Sequence, residues 1–432
     1  MRVVVVSESF LPTVNGVTTS VRKVLDYLSA HGHDALVIVP AAGAPSSYAG
    51  FPVVELPAIA YRQFPVGLPN PQVQKLIADF APDVVHAASP FLLGAQAIAA
   101  SNRLGIPSVA IFQTDVAGYA RRNHLGAATK FAWRVIRWIH GDADLTLVPS
   151  STSRADLELA GIKRLERWGR GVDLDTYHPR NRRSEATAAL RDRLAPNGEV
   201  IIGYVGRVAP EKQLERMAAL SGLSGFRLAI VGDGPSMPSI KRVLKGMPVT
   251  YLGPLRGEEL ATAYASFDIF LHTGAEETFG QTLQEAFASG LPVVAPRAGG
   301  PIDLVDVGVN GYLYEVDDPA QLRAQVKSLV RDPSLRLRMG EAGRRSVLGK
   351  TWDATCDQLM AYYESAIASR KRATVTSASV PSPVGIGARS AGTRTNATTA
   401  DVPGDVAPVT STTAGAPLND LPAPAVTEFE VS

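Results

Sequence analysis

Glu277 and Glu285 lie eight positions apart in the run Gly274-Ala275-Glu276-Glu277-Thr278-Phe279-Gly280-Gln281-Thr282-Leu283-Gln284-Glu285-Ala286-Phe287-Ala288-Ser289-Gly290. Within one helix they would stand about 12 Å apart along the axis and on different faces, so they cannot act together from a shared helix. The spacing instead places Glu277 in a loop and Glu285 in the first turns of the helix that follows. The backbone amides of Thr278, Phe279 and Gly280 then sit at a helix N-terminus, where anions are stabilised. Taken alone, two such acids describe an acidic helix start and a solvated face. A second cluster, Gly206-Arg207-Val208-Ala209-Pro210-Glu211-Lys212, follows an apolar run and offers a guanidinium fork and a point charge, the pair suited to phosphate. A third segment, Ser7 to Val17, leaves the first apolar run of the chain, and Gly16 in it would let the backbone approach a phosphate closely.

Other motifs carry less. No G-x-G-x-x-G follows the first strand, which argues against a dinucleotide enzyme. Gly232-Asp233-Gly234-Pro235 reads as a tight turn. The triplets Asp142–Asp144 and Asp173–Asp175 lack the converging oxygen ligands that a hard cation needs and read as structural. No H-E-x-x-H or H-x-x-x-H pattern suggests zinc. The stretch from Arg121 to His140 interleaves Arg121, Arg122, Lys130, Arg134 and Arg137 with Phe131, Trp133, Trp138 and Ile139. Such a helix either lies on an anionic membrane or lipid acceptor, or packs its aromatics into a core with its arginines solvated.

These residues need a frame to hold them. The 432 residues are enough for two or three domains, and 45% hydrophobic with 19% charged is ordinary globular usage, which excludes disordered, collagen-like and coiled-coil classes for the bulk. A net charge of +2 gives no reason to expect nucleic-acid binding. A single cysteine, Cys356, forms no internal disulfide, and no apolar run has the length of a membrane span. Together with an apolar start, Val3 to Val6, too short for a signal peptide, this predicts a cytoplasmic protein. Strands are predicted at Val3–Val6, Ala35–Val39, Val84–His86, Ser108–Phe112 and Leu145–Val148, then at Val200–Val205, Arg227–Val231, Val249–Leu252, Ile269–His272 and Pro292–Ala295. Segments of helical period separate them, the signature of α/β units with parallel sheets. The expected organisation is two Rossmann-like domains facing across a cleft. An acceptor-side unit spans 1–167 and a donor-binding unit 168–350 opens with a polar linker; a C-terminal helix covers 351–372. Residues 373–432 contain 39 Ala, Ser, Thr, Pro or Gly and read as a disordered tail.

In combination these residues resemble a retaining glycosyltransferase of the GT-B fold, in the large family that contains bacterial mannosyltransferases and sucrose-phosphate synthase. The resemblance covers about residues 1–370. It rests on the Glu-x(7)-Glu pair Glu277 and Glu285, Ala286 to Gly290 with Pro292-Val293-Val294, the Gly206 to Lys212 segment, and Gly171-Val172-Asp173. The opening through Ser7-Glu8-Ser9-Phe10-Leu11-Pro12 to Asn15-Gly16-Val17 is similar to actinobacterial mannosyltransferases that use GDP-mannose and build a glycolipid or lipoglycan. The resemblance implies that Arg207 and Lys212 bind the donor diphosphate and Glu277 the sugar hydroxyls. By the same resemblance Glu285 reaches the ribose, Leu255 and Arg256 meet the base, and the amides of Thr278, Phe279 and Gly280 line sugar and phosphate. Gly16 would approach the diphosphate from the opposite domain, and the last helix would return to the first domain. Where many relatives have a His-Thr pair, this chain reads Gln113-Thr114-Asp115, leaving Asp115 as the acceptor-side candidate. The implied partners are GDP-mannose and a lipid-linked sugar acceptor at the inner face of the plasma membrane, with no cofactor, metal or nucleic acid. The rivals are a UDP-sugar enzyme acting on a soluble acceptor and a nucleotide-sugar-binding module without turnover.

Overall fold

A computed structural model describes residues 1–61, 64–68, 70–113 and 126–378. The first sheet is built from β1 (Arg2–Ser7), β2 (Asp34–Pro40), β3 (Ser47–Tyr48), β4 (Phe51–Leu56), β7 (Val84–Ala88), β8 (Ser108–Ile111), β9 (Leu145–Val148) and β10 (Leu165–Arg167). Its order is β10-β9-β8-β7-β1-β2-β4-β3, parallel except for the β3–β4 edge pair. A separate antiparallel pair, β5 (Ala58–Tyr61) and β6 (Phe64–Gly67), stands beside it. The second sheet comprises β11 (Val200–Val205), β12 (Phe226–Val231), β13 (Val249–Gly253), β14 (Ile269–Leu271), β15 (Val293–Pro296) and β16 (Gly311–Tyr314), all parallel, in the order β13-β12-β11-β14-β15-β16.

Both sheets are covered on two faces, which is why their central strands read as unbroken apolar runs. In β1, Val3 and Val5 enter one core while Val4 and Val6 enter the other, and all four are fully buried. In β11, Ile201 and Val205 face one side and Ile202 and Tyr204 the opposite side. Among its parallel strands each sheet reverses its order once, between β7 and β1 and between β11 and β14. Crevices at the carboxyl ends of strands beside such reversals are where open α/β sheets bind ligands.

The stretch between the sheets is less irregular than its composition predicts. Ser184 caps a helix over Glu185–Leu194 by accepting from the Thr187 amide, and Leu194 belongs to a core of the second sheet. The C-terminal helix, Trp352–Ala378, extends six residues past the predicted start of the tail. Residues 379–432 lie outside the described residues. Cys356, Leu359, Tyr363 and Ala366 recur at helical spacing and join Val3, Val5, Val24 and Leu28 in the core of the first sheet. Polar contacts fix the same helix there: Tyr363 Oη bonds His86 Nδ1, Tyr27 Oη donates to Asp357 Oδ1 at 2.5 Å, and Trp168 Nε1 donates to the Thr355 carbonyl at 2.8 Å. Burial raises the Cys356 thiol to about 12. No described helix is long and apolar enough to cross a membrane.

Candidate active site

The carboxyl ends of β11 and β14 bring the two sequence clusters together. Pro210–Lys212 forms a short 3₁₀ turn after β11, and Lys212 Nζ donates to Glu277 Oε2 at 2.7 Å from the loop after β14. The two side chains are 23% and 17% exposed, so the pair is largely shielded from water. Burial alone would raise the Glu277 carboxyl, but Lys212 and the neighbouring His272 outweigh it and hold it at about 2. Reciprocally, burial disfavours the Lys212 ammonium, yet Glu277 raises its affinity for the proton above the ordinary range. Both groups are therefore charged at neutral pH.

The helix Gln281–Ala288 begins as the spacing predicts, with Gly280 in the left-handed region at its N-terminus. Two of the amides at its start are already engaged within the chain. The Phe279 and Gly280 N–H groups donate to Glu277 Oε1 at 3.4 and 3.1 Å. The anion at this helix start is the chain's own carboxylate, so these amides act through Glu277 by fixing its orientation. Thr278 reaches the other domain, its Oγ1 donating to the Gln113 carbonyl at 3.5 Å.

Glu285 takes a different environment. Tyr264 Oη donates to Glu285 Oε2 at 2.7 Å, and burial, only partly opposed by hydrogen bonds from Tyr264 and Gln281, raises the carboxyl to about 7. Arg207 is more exposed, with Nη1 3.8 Å from Glu211 Oε1. Gly232 holds the loop of Arg207 in place: at φ +124°, a Cβ there would lie 1.9 Å from the Gly206 carbonyl oxygen, so only glycine fits. In Gly232-Asp233-Gly234-Pro235 the turn falls at the end, where the Met237 amide donates to the Gly234 carbonyl at 3.0 Å, and exposed Asp233 accepts from the Gly234 amide. Leu255 packs at the edge of a core after β13, while exposed Arg256 makes no side-chain hydrogen bond or ion pair among the described residues.

Gly16 begins the helix Gly16–Ala30, which Asn15 caps by accepting from the Val17 and Thr18 amides. Its close neighbour is the guanidinium of Arg170, which the sequence reading did not single out; a Cβ on Gly16 would lie 2.5 Å from Arg170 Nη1. Arg170 Nη2 donates to Gln113 Oε1 at 2.8 Å. His272 was also missed as a site residue. It is buried at the end of β14, donates from Nε2 to the Gly274 carbonyl at 3.1 Å, and is pushed down to about 4 by burial.

Asp115, Thr114, Arg121 and Arg122 lie outside the described residues. On the helix Gly126–Gly141, Ile136 and Ile139 are buried and Trp133 packs into the core that holds Ile136, while Lys130, Arg134, Arg137 and Trp138 are exposed. The buried face accords with the core-packing reading, and the exposed face is cationic. Asp173 accepts from the Asp175 and Thr176 amides and Asp144 from the Ser108 amide, so these members of the triplets are structural. Among the described residues no group of three or more His, Cys, Asp or Glu could hold a metal ion. A cavity of about 270 Å³ opens between the domains beside Arg167, Arg170, Phe279, Gln284, Asp303 and Lys350. Lys212, Glu277 and Arg207 do not line it, whereas Arg170 does.

Two family models divide the chain as its sheets do: Glycosyltransferase Family 4 matches residues 14–176 and Glycosyl transferases group 1 matches residues 187–346. The chain is 44% identical over 384 residues to a GDP-mannose-dependent alpha-mannosyltransferase of Corynebacterium glutamicum, covering 87% of this chain and 92% of that protein. It is 45% identical to a protein of the same name from Mycolicibacterium smegmatis, covering 86% and 99%. Among solved structures, the sucrose-phosphate synthase of Thermosynechococcus elongatus superposes with a TM-score of 0.70 at 20% identity, over 85% of this chain and 99% of that one, a likeness of fold. Two parallel-sheet domains, the charged pair at their strand ends and identity of this extent place the chain among the GT-B glycosyltransferases, in the family of the actinobacterial GDP-mannose-dependent alpha-mannosyltransferases.

Proposed function

We propose that the protein transfers an α-mannosyl group from GDP-mannose to a glycolipid or lipoglycan-precursor acceptor at a membrane surface, with retention of configuration. The observation that carries this reading is the shielded Lys212–Glu277 pair at the sheet reversal, next to the Arg207 loop, in a chain 44% identical over 384 residues to an enzyme of that name. Breaking the bond between the sugar and the diphosphate leaves negative charge on GDP and positive charge on the sugar. Arg207 and Lys212 stabilise the first. Glu277, oriented by Lys212 and by two backbone amides, accepts hydrogen bonds from sugar hydroxyls and stays anionic beside the developing cation. The acceptor hydroxyl oxygen bonds to the anomeric carbon from the face that GDP leaves, and its proton passes to a phosphate oxygen of the departing GDP. Glu285 meets the ribose, Leu255 and Arg256 the base, and Asp115 the acceptor. The exposed cationic face with Trp138 supports a membrane-side acceptor, because a Lys/Arg face with an indole suits an anionic interface.

The test is transfer by the purified protein from GDP-mannose and, separately, UDP-glucose to a membrane lipid extract, with chelator present and Arg207→Ala as control. An α-linked mannolipid formed from GDP-mannose, and lost in the variant, is the expected result. A β-linked product would overturn retention, transfer from UDP-glucose alone would overturn the donor, and turnover only on water-soluble sugars would overturn the acceptor.

A further inference from the structure

Arg170 lies in the strand of chain that joins the two domains, and both domains hold it. From the second domain, Gln284 Nε2 donates to its carbonyl at 3.0 Å, and Gln281 Nε2 donates to the next carbonyl, that of Gly171, at 3.1 Å. Little slack remains in this segment: a Cβ on Gly171 would fall 2.4 Å from the backbone of Trp352, and one on Gly169 would fall 3.0 Å from the Phe279 ring. From the first domain, Gln113 Oε1 accepts from Nη2, and the guanidinium lies directly against Gly16. Its charge is felt by Glu277 and by Lys212, so it belongs to the same electrostatic cluster. A guanidinium carries five donors in a fixed fork, and among the described residues Gln113 is the one hydrogen-bond acceptor of this side chain. Glu277 already has Lys212 at 2.7 Å as its close cation, so a second cation here exceeds what that carboxylate needs.

We propose that Arg170 is a third donor-phosphate residue, which grips the sugar-proximal phosphate of a nucleoside diphosphate sugar across the domain junction while Gln113 sets the plane of its fork. The proposal rests on the nucleotide-sugar reading above. Gly16 then has a double reason to lack a side chain, since the guanidinium and the phosphate must share the space over its Cα. Arg207 and Lys212 come from the second domain alone, whereas Arg170 makes donor binding a contact to both halves at once.

The experiment compares GDP with GMP by titration calorimetry on the full chain, in wild type, Arg170→Ala, Arg170→Lys and Gln113→Leu. Loss of one charged, forked contact to the second phosphate should weaken GDP about 10- to 100-fold while leaving GMP within about 2-fold, so that the preference for the diphosphate collapses. Arg170→Lys, which keeps charge without the fork, should fall between, and Gln113→Leu should lower the GDP preference less than Arg170→Ala. Equal weakening of GDP and GMP, or no change in either, in a variant that melts with the wild type would overturn the proposal. Should Arg170→Ala fail to fold, Arg170→Lys and Gln113→Leu decide it by the same ratio. Wild-type protein that ignores both guanine nucleotides but binds UDP would defeat the GDP-mannose reading instead, and UDP against UMP would then test Arg170 independently.

Discussion

At the residue scale the two glutamates of the Glu-x(7)-Glu pair are tuned in opposite directions. Glu277 is held at about 2, so its charge adds stability that is complete above the ordinary carboxyl range near 4.5 and is lost as pH falls towards 2. In Lys212→Ala that compensation disappears and burial prevails. The carboxyl should titrate upward, and the pH–rate profile should gain an acid limb absent from wild type. The same substitution, like Arg207→Ala, should lower kcat by about 100- to 1,000-fold, the range for removing one fixed donor from a developing anion, as steady-state rates would show. For Glu285 the sign reverses. Its carboxyl is raised to about 7, so the native state binds a proton more tightly than the unfolded chain, and stability falls as pH rises from about 4.5 to 7. Glu285→Gln should therefore flatten the dependence of melting temperature on pH over that window and melt above wild type at pH 8. A variant that tracks the wild-type curve would show that Glu285 titrates normally.

At the element scale the sequence was readable wherever one strand alone carried enough apolar residues to be buried on both faces. The valine run of β1 and the strands β2, β7, β8, β9, β11, β12, β14 and β15 meet that condition, while β13, a half-buried edge strand, was legible from its apolar run alone. β4 does not: Pro52 and Glu55 interrupt it as befits a strand near the sheet edge, and β3 is only two residues long. β10 and β16 are three and four residues long and gain their stability from neighbours that a linear reading does not see. The helix Glu185–Leu194 was hidden because Thr187 and Leu194 are its buried residues and its other side chains are largely polar or small. Within the site, the cations and acids were legible because they follow strand ends. Arg170 was not, since Gly16, Gln113 and Glu277 are brought to it only by the assembly of two sheets. The helix Gly16–Ala30 offers a test at this scale. Asn15→Ala removes a side chain that satisfies two amides and should cost about 1 kcal/mol in urea unfolding.

At the scale of the whole molecule, the last helix completes the first core rather than following the second. Tyr363→Phe would leave the buried His86 ring without its partner and should destabilise the fold by about 1–3 kcal/mol, measurable as a lower urea midpoint. Cutting the chain after Ala378 should leave kcat unchanged, because residues 379–432 have too little apolar surface to build a core of their own. Cutting it before Trp352 should abolish soluble expression, because Val3, Val24 and Leu28 would lose Cys356, Leu359 and Tyr363 as packing partners. Equal activity of the two truncations would refute this division.

The same packing turns the chain's lone thiol into a clock. Cys356 sits on the buried face of the returning helix, shielded from solvent and with its thiolate suppressed, so a thiol reagent can react only in the moments when that helix lifts from the first sheet. Labelling of the native protein should thus be slow, accelerate in mild urea well before global unfolding, and yield an opening frequency directly. Since the helix starts beside Gly171 and ends on the first sheet, whatever draws the two halves together around a donor should be audible as a change in that beat, with no probe added to the molecule.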